Sequence, residues 1–210
     1  MKKIASAKMR GQASNNQQPD FGTYHHSTPR ASLKLREKVK ILFTRVFGNL
    51  PLDRDEKLKI LDVGCGLGFL SFVCAEYYPK ARITGFDTFK HASLKESSLA
   101  KTNNNAKILG FSGRIRFQKG DVFSSGYSKE KYDLFVSNLV FHNLGRRRIK
   151  AYEILAHWMT PKSYLVLGDL FFDYKTDFSR LTTHFGNVEK VNRFNIGGQY
   201  KILVLSDPKK

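Results

Sequence analysis

The chain has 210 residues, 41% of them hydrophobic, with 36 Lys+Arg against 18 Asp+Glu and a net charge of +18. That length suits one domain plus an appendage, and no apolar run approaches the roughly 18 residues of a membrane span. Two cysteines, Cys65 and Cys74, are too few for a disulfide framework and point to a reducing, cytoplasmic compartment, while the cationic excess favours a polyanionic partner such as RNA or DNA.

Residues 1–20 read as a flexible basic arm, carrying Lys2, Lys3, Lys8 and Arg10 but almost no large apolar side chains. Residues 21–57 read as a helical cover. Thr28 is a capping residue and Pro29 suits the first helical position, which predicts a helix to about Phe47. Leu35, Val39, Leu42 and Val46 form its apolar stripe, and Lys34, Arg36, Lys38, Lys40 and Arg45 populate the rest. His25 and His26 lack a cysteine or acid at ligand spacing, so no metal is expected.

From residue 58 to 210 the pattern alternates strand and helix. Lys59-Ile60-Leu61 opens a buried strand that breaks at Gly64, Gly66 and Gly68, and Phe69 to Tyr78 has helical spacing. Glycines there let the backbone turn sharply against a ligand, and the helix N-terminus adds free N–H groups. The spacing is G-x-G-x-G, with Phe69 in the place of the third dinucleotide-fingerprint glycine, and no Gly-Lys-Ser/Thr follows. Asp62, just ahead of the turn, suits a cationic ligand better than a pyrophosphate.

A second strand, 81–87, ends in Asp87, about 20 residues past the glycine turn, where a carboxylate accepts from ribose hydroxyls. A helix is predicted from about His91 to Leu109, weakened by Asn103-Asn104-Asn105. The strand 115–118 then runs into Gly120-Asp121-Val122, and the strand 132–138 ends in Ser137-Asn138. Arg146, Arg147 and Arg148 open the next helix, where they oppose its dipole; a bound anion and a solvated charge run are both open readings. A fifth strand at 164–169, an aromatic loop at 170–174 and a short helix at 178–185 follow. Val188–Phe194 and Tyr200–Leu205 then make a hairpin about Asn195–Gln199.

Four features in register resemble class I S-adenosylmethionine (SAM)-dependent methyltransferases: the glycine turn, Asp87, Gly120-Asp121 and Ser137-Asn138. The resemblance, over about 58–205, implies an α/β fold with a doubly wound, mostly parallel seven-stranded sheet. The implied strand order is 3-2-1-4-5-7-6, with strand 7 antiparallel. It implies SAM as cofactor and S-adenosylhomocysteine (SAH) as product. Asp62 and the backbone of Gly64, Cys65, Gly66 and Gly68 would hold the methionine end. Asp87 with Thr88 would hold the ribose, and Gly120, Asp121 and Val122 the adenine. Ser137 and Asn138 would line the transferable methyl. Asn138 and His142 are the catalytic candidates, His142 as a base or equally as a packing histidine. Tyr24, His25 and His26 would lie near the mouth with Arg146–Arg148, as substrate contacts. The acceptor stays open between RNA and a small molecule. A nucleotide-dependent oxidoreductase and a non-catalytic nucleic-acid binder are the alternatives.

Overall fold

A computed structural model describes residues 17–124, 130–191 and 198–209. Most of the basic arm, and the Asn195–Gly197 part of the expected hairpin turn, lie outside the described residues.

Helix α1, Pro29–Phe47, begins as the sequence predicts: the Thr28 side chain accepts from the Ala31 N–H, and Pro29 occupies the first turn. Strand β1, Lys59–Val63, leads through the glycine turn into α2, Phe69–Tyr77. Then come β2, Arg82–Asp87, helix α3, Leu99–Ile108, and β3, Ile115–Lys119. Strand β4, Leu134–Asn138, runs into a 3₁₀ segment, Phe141–Arg147, and helix α4, Arg148–Trp158. Strand β5, Tyr164–Leu170, helix α5, Tyr174–His184, and the strands β6, Phe185–Lys190, and β7, Tyr200–Pro208, complete the described chain.

The sheet order is β3-β2-β1-β4-β5-β7-β6. Strands β1 to β5 are parallel and β7 is antiparallel to both neighbours. This is the predicted topology. Central strands are buried on both faces, so β1 and β4 are buried along nearly their whole length rather than at alternate residues, Asp62 and Ser137 included. One core lies between the sheet and α1–α2, around Phe43, Phe47, Ile60 and Tyr78. The other lies under α4 and α5, around Phe135, Phe141, Tyr152 and Leu203.

The helix predicted from His91 begins eight residues later, at Leu99. Ser98 is its cap, with its side chain accepting from the Lys101 N–H, and Glu96 sits just ahead at φ 59°. Residues ahead of the cap bind the N-terminal segment instead: Leu94 bridges Tyr24, and the His25 N–H donates to the Ser93 carbonyl at 2.8 Å. Asn105 does not interrupt α3. It is buried, exchanges two hydrogen bonds with the Asp20 backbone, and donates to the Leu67 carbonyl at 3.0 Å. Helix α5 starts at Tyr174 rather than Phe178, because the Asp173 side chain caps it.

Gly168 on β5 makes room for two aromatic side chains of one core, Tyr200 and Phe43. A Cβ there would collide with the Tyr200 hydroxyl and lie 2.9 Å from the Phe43 ring. Gly168→Ala is therefore expected to destabilise the fold by about 1–3 kcal/mol, as overpacked cores do. Urea titration reads this directly; an unchanged midpoint would mean that Tyr200 and Phe43 move aside freely.

Candidate functional site

The loops at the carboxyl ends of β1 to β5 enclose one cavity of about 760 Å³. Parallel sheets bind ligands there, where strand order reverses between β1 and β4. The glycine turn forms one wall. Gly64 and Gly66 have φ of 73° and 51°, and a Cβ on Gly64 would stand 2.5 Å from a Val140 methyl. Only glycine lets the chain pass so close to the β4 loop. Thr102 and Asn105 on α3 hold the turn from behind through the Gly66 and Leu67 carbonyls.

Asp87 ends β2 at this wall. Its two oxygens accept from the Gly66 N–H at 2.9 Å and the Phe89 N–H at 2.7 Å. Each carboxylate oxygen keeps a second lone pair, so the group can still accept from a vicinal diol. Asp62 is buried and accepts from the Ser71 hydroxyl at 2.6 Å. Burial raises its carboxyl to about pH 7, with the nearby Asp87 charge adding to the shift and the Ser71 hydrogen bond opposing it. Thr88, Gly120, Asp121 and Val122 complete this end of the wall, with Asp121 accepting from the Phe123 N–H. Cys65 also lines the cavity, and burial pushes its thiol well above the usual range.

At the other end, Asn138 and His142 face the cavity from β4 and its 3₁₀ segment. Asn138 Oδ1 accepts from the Tyr200 hydroxyl at 2.7 Å, which leaves its amide N–H groups for the cavity. His142 Nδ1 lies 2.5 Å from Asp169 Oδ1. The other Asp169 oxygen accepts from the Phe141 and His142 N–H groups at 2.7 and 3.2 Å. A buried carboxylate so placed accepts a hydrogen bond from Nδ1–H, and in the neutral form of that tautomer the lone pair is on Nε2. Asp169, Ser71, Tyr200 and Arg36 belong to this site or its support but do not stand out in the sequence. A strand-ending acid after Gly168 was the one available signal for Asp169.

Tyr24, His25 and His26 border the cavity, as does Phe172, whose ring is exposed at the rim. Gly68 and Ser137 do not line it. Gly68 starts α2 at φ 88°, and the Ser137 hydroxyl donates to the Val63 carbonyl, stitching β4 to β1. Arg146, Arg147 and Arg148 are also absent from the wall. Arg148 pairs with Asp177 at 2.6 Å, and the Arg147 guanidinium lies 3.8 Å over the Phe123 ring. The Asp177 carboxylate, rather than a bound anion, offsets the Arg148 charge at the α4 N-terminus. Among the described residues no cluster of three metal-ligating side chains occurs, and no helix is long and apolar enough to cross a membrane.

An acid at the end of β2 opposite a glycine turn, in a sheet of this order, defines a nucleoside-binding α/β protein of Rossmann-like build. A family model described as a methyltransferase domain matches residues 54–196. The chain belongs to that family, in its class I, SAM-dependent form. Ribosomal RNA small subunit methyltransferase C of Buchnera aphidicola is 36% identical over 111 residues, which are 47% of this chain and 29% of that protein. Malonyl-[acyl-carrier protein] O-methyltransferase of Halalkalibacterium halodurans is 26% identical over 65% of this chain and 49% of its own length. The matched region thus spans less than half of either relative. Human N-acetylserotonin methyltransferase, solved with SAM, superposes with a TM-score of 0.57 at 18% identity, covering 84% of this chain and 56% of that one. That likeness is one of fold.

Proposed function

We propose that the chain transfers the methyl group of SAM to an oxygen or nitrogen that carries a proton, with His142 as general base. The observation that carries the reading is the Asp169–His142 pair, held at 2.5 Å on the wall of the cavity that also contains Asp62 and Asp87. The cavity suits this cofactor in its donor set: carboxylates for a sulfonium, an ammonium and a diol, and a wall with no room for a side chain at Gly64. When bound, SAM supplies a methyl group on a positively charged sulfur.

The chain's own residues do the rest. Asp62 faces the cationic methionine end, Asp87 and Thr88 the ribose, and Asp121 with the backbone of Gly120 and Val122 the adenine edge. Asn138, fixed by Tyr200, orients the acceptor with its amide N–H groups. His142 Nε2 takes the acceptor's proton, and the Asp169 carboxylate stabilises the imidazolium that forms. Positioning the two partners in line is the main catalytic contribution.

RNA is the acceptor class favoured by the +18 charge and by relatives named for ribosomal and transfer RNA. The basic Arg146 and Arg147 would then meet phosphates beside the mouth. Phe172, exposed at the rim, and the apolar Phe69, Leu70 and Val140 along the wall favour a second reading, a small planar acceptor. Filter binding with RNA across a salt series separates the two, since phosphate contacts weaken steeply with salt.

The cofactor reading is tested by calorimetry with SAH. Asp87→Ala is expected to weaken binding about 100-fold, the loss of two hydrogen bonds to a charged acceptor. Equal affinity in the variant would remove Asp87 from the site.

A further inference from the structure

We propose that Arg36 binds the α-carboxylate of the cofactor's methionine part, making the N-terminal helix a cofactor-recognition element. The inference rests on the SAM reading above and adds to it the recognition of the amino-acid end.

The chain carries 36 Lys+Arg, yet among the described residues a single one of them, Arg36, lines the cavity. It is 6% exposed. One guanidinium nitrogen donates to the Phe21 carbonyl at 2.5 Å, and the group lies over the Tyr24 ring, 4.5 Å from its centroid. Its Nε–H has no hydrogen-bond partner. No carboxylate of the described residues lies within ion-pair distance of it, although six other ion pairs form elsewhere.

An arginine cannot shed its charge when buried, and an uncompensated buried charge is costly. Two other arginines that pack against the described fold have their donors met: Arg148 pairs with Asp177, and Arg114 donates to three carbonyls. Arg36 departs from that pattern with an open donor. The same cavity holds three acids, Asp62, Asp87 and Asp121, none of which would accept an anion beside it. Arg36 is the one arginine or lysine among the described lining residues that can meet a ligand anion. Asp62 and Arg36 together offer one negative and one positive group, the complement of an α-amino acid zwitterion. The guanidinium is held by the Phe21 carbonyl and lies over the Tyr24 ring, and its planar fork matches a carboxylate in a way that a lysine ammonium would not reproduce.

Calorimetry with SAM and with decarboxylated SAM, which keeps the sulfonium and the amine, tests this on the intact chain. Wild-type protein is expected to bind SAM about 30-fold more tightly than the decarboxylated ligand, the scale of a charge-assisted hydrogen bond pair. Arg36→Met should bring that ratio below about 3-fold by weakening SAM alone, and Arg36→Lys should leave it intermediate. The ratio in the wild-type protein needs no variant to fold. No preference in the wild-type protein, or equal weakening of both ligands by Arg36→Met, overturns the proposal and leaves Arg36 as a fastener of the Phe21 segment. Failure of the wild-type protein to bind either ligand removes the cofactor reading itself, and this inference with it.

Discussion

His142→Ala is expected to lower kcat by about 10²–10⁴-fold while SAH affinity stays within about 3-fold, because the side chain acts on the acceptor's proton and not on the cofactor. Asp169→Asn should cost nearly as much. In the native pair Nδ1–H donates to Asp169 Oδ1, which also accepts from the Leu170 N–H. An amide with its NH₂ at that position would face two donors. Relief comes from moving the imidazole proton to Nε2, and that removes the lone pair the base needs. His142→Gln keeps the polarity and loses the proton-accepting nitrogen, so it should resemble alanine. Transfer of a labelled methyl at saturating acceptor measures all three. A His142→Ala enzyme with wild-type kcat would leave the histidine a packing residue, and transfer would then need no base.

What could be read in the sequence depended on how local the signal was. The glycine turn and Asp87 are written in short spacings, and both sit on one wall. The Thr28-Pro29 start and the Gly48 end of α1 also follow from neighbouring residues alone. Asp169 was not legible as a partner of His142, because the two are 27 residues apart and meet only through the β4–β5 register, where Asn138 pairs with Gly168. Arg36 reads as one more cation on a polar helix face. It lies on the Ser32–Val39 side of α1, which turns inward, and both of those neighbours are buried. Asn105 reads as a poor helix former, and only the folded chain gives its amide the Asp20 backbone and Leu67 carbonyl as partners.

The same distinction explains the misplaced start of α3. Helical spacing can be traced back from Leu99 to His91, but the Tyr24–Leu94 bridge holds that stretch outside the helix. A long-range contact overrides the local preference there. At 170–174 the aromatic run divides its roles: Phe171 is buried against the core, while Phe172 stands 65% exposed beside His142. Composition alone cannot make that division, because both residues have the same side chain and one strand end separates their directions.

Asp62 carries the other large expected effect, and it is a pH effect. Its folded-state pKa is about 7 against an ordinary value of 3.8, so the folded chain holds a proton that the unfolded chain has lost over that range. The favourable state is the neutral one. Stability attributable to this group is complete below about pH 4 and declines as pH rises through about 7. Above that the ionised carboxylate costs the empty protein on the order of 4 kcal/mol. Asp62→Asn, which stays neutral and retains an oxygen for the Ser71 hydroxyl, should therefore be more stable than wild type at pH 8 and nearly equal to it at pH 4. Urea titrations at the two pH values check this. A cation at the site reverses the balance: the sulfonium and ammonium favour ionised Asp62, so binding below pH 7 should release a proton. SAM affinity should then rise roughly tenfold per pH unit up to about 7 and level off above. Calorimetry in buffers of different ionisation enthalpy counts that proton. Asp62→Asn should abolish both the release and the pH dependence while weakening SAM at pH 8, so that one carboxylate costs stability in the empty protein and contributes affinity in the loaded one. Equal stability of the two proteins at pH 8 would mean that water reaches Asp62 and that its charge is not confined.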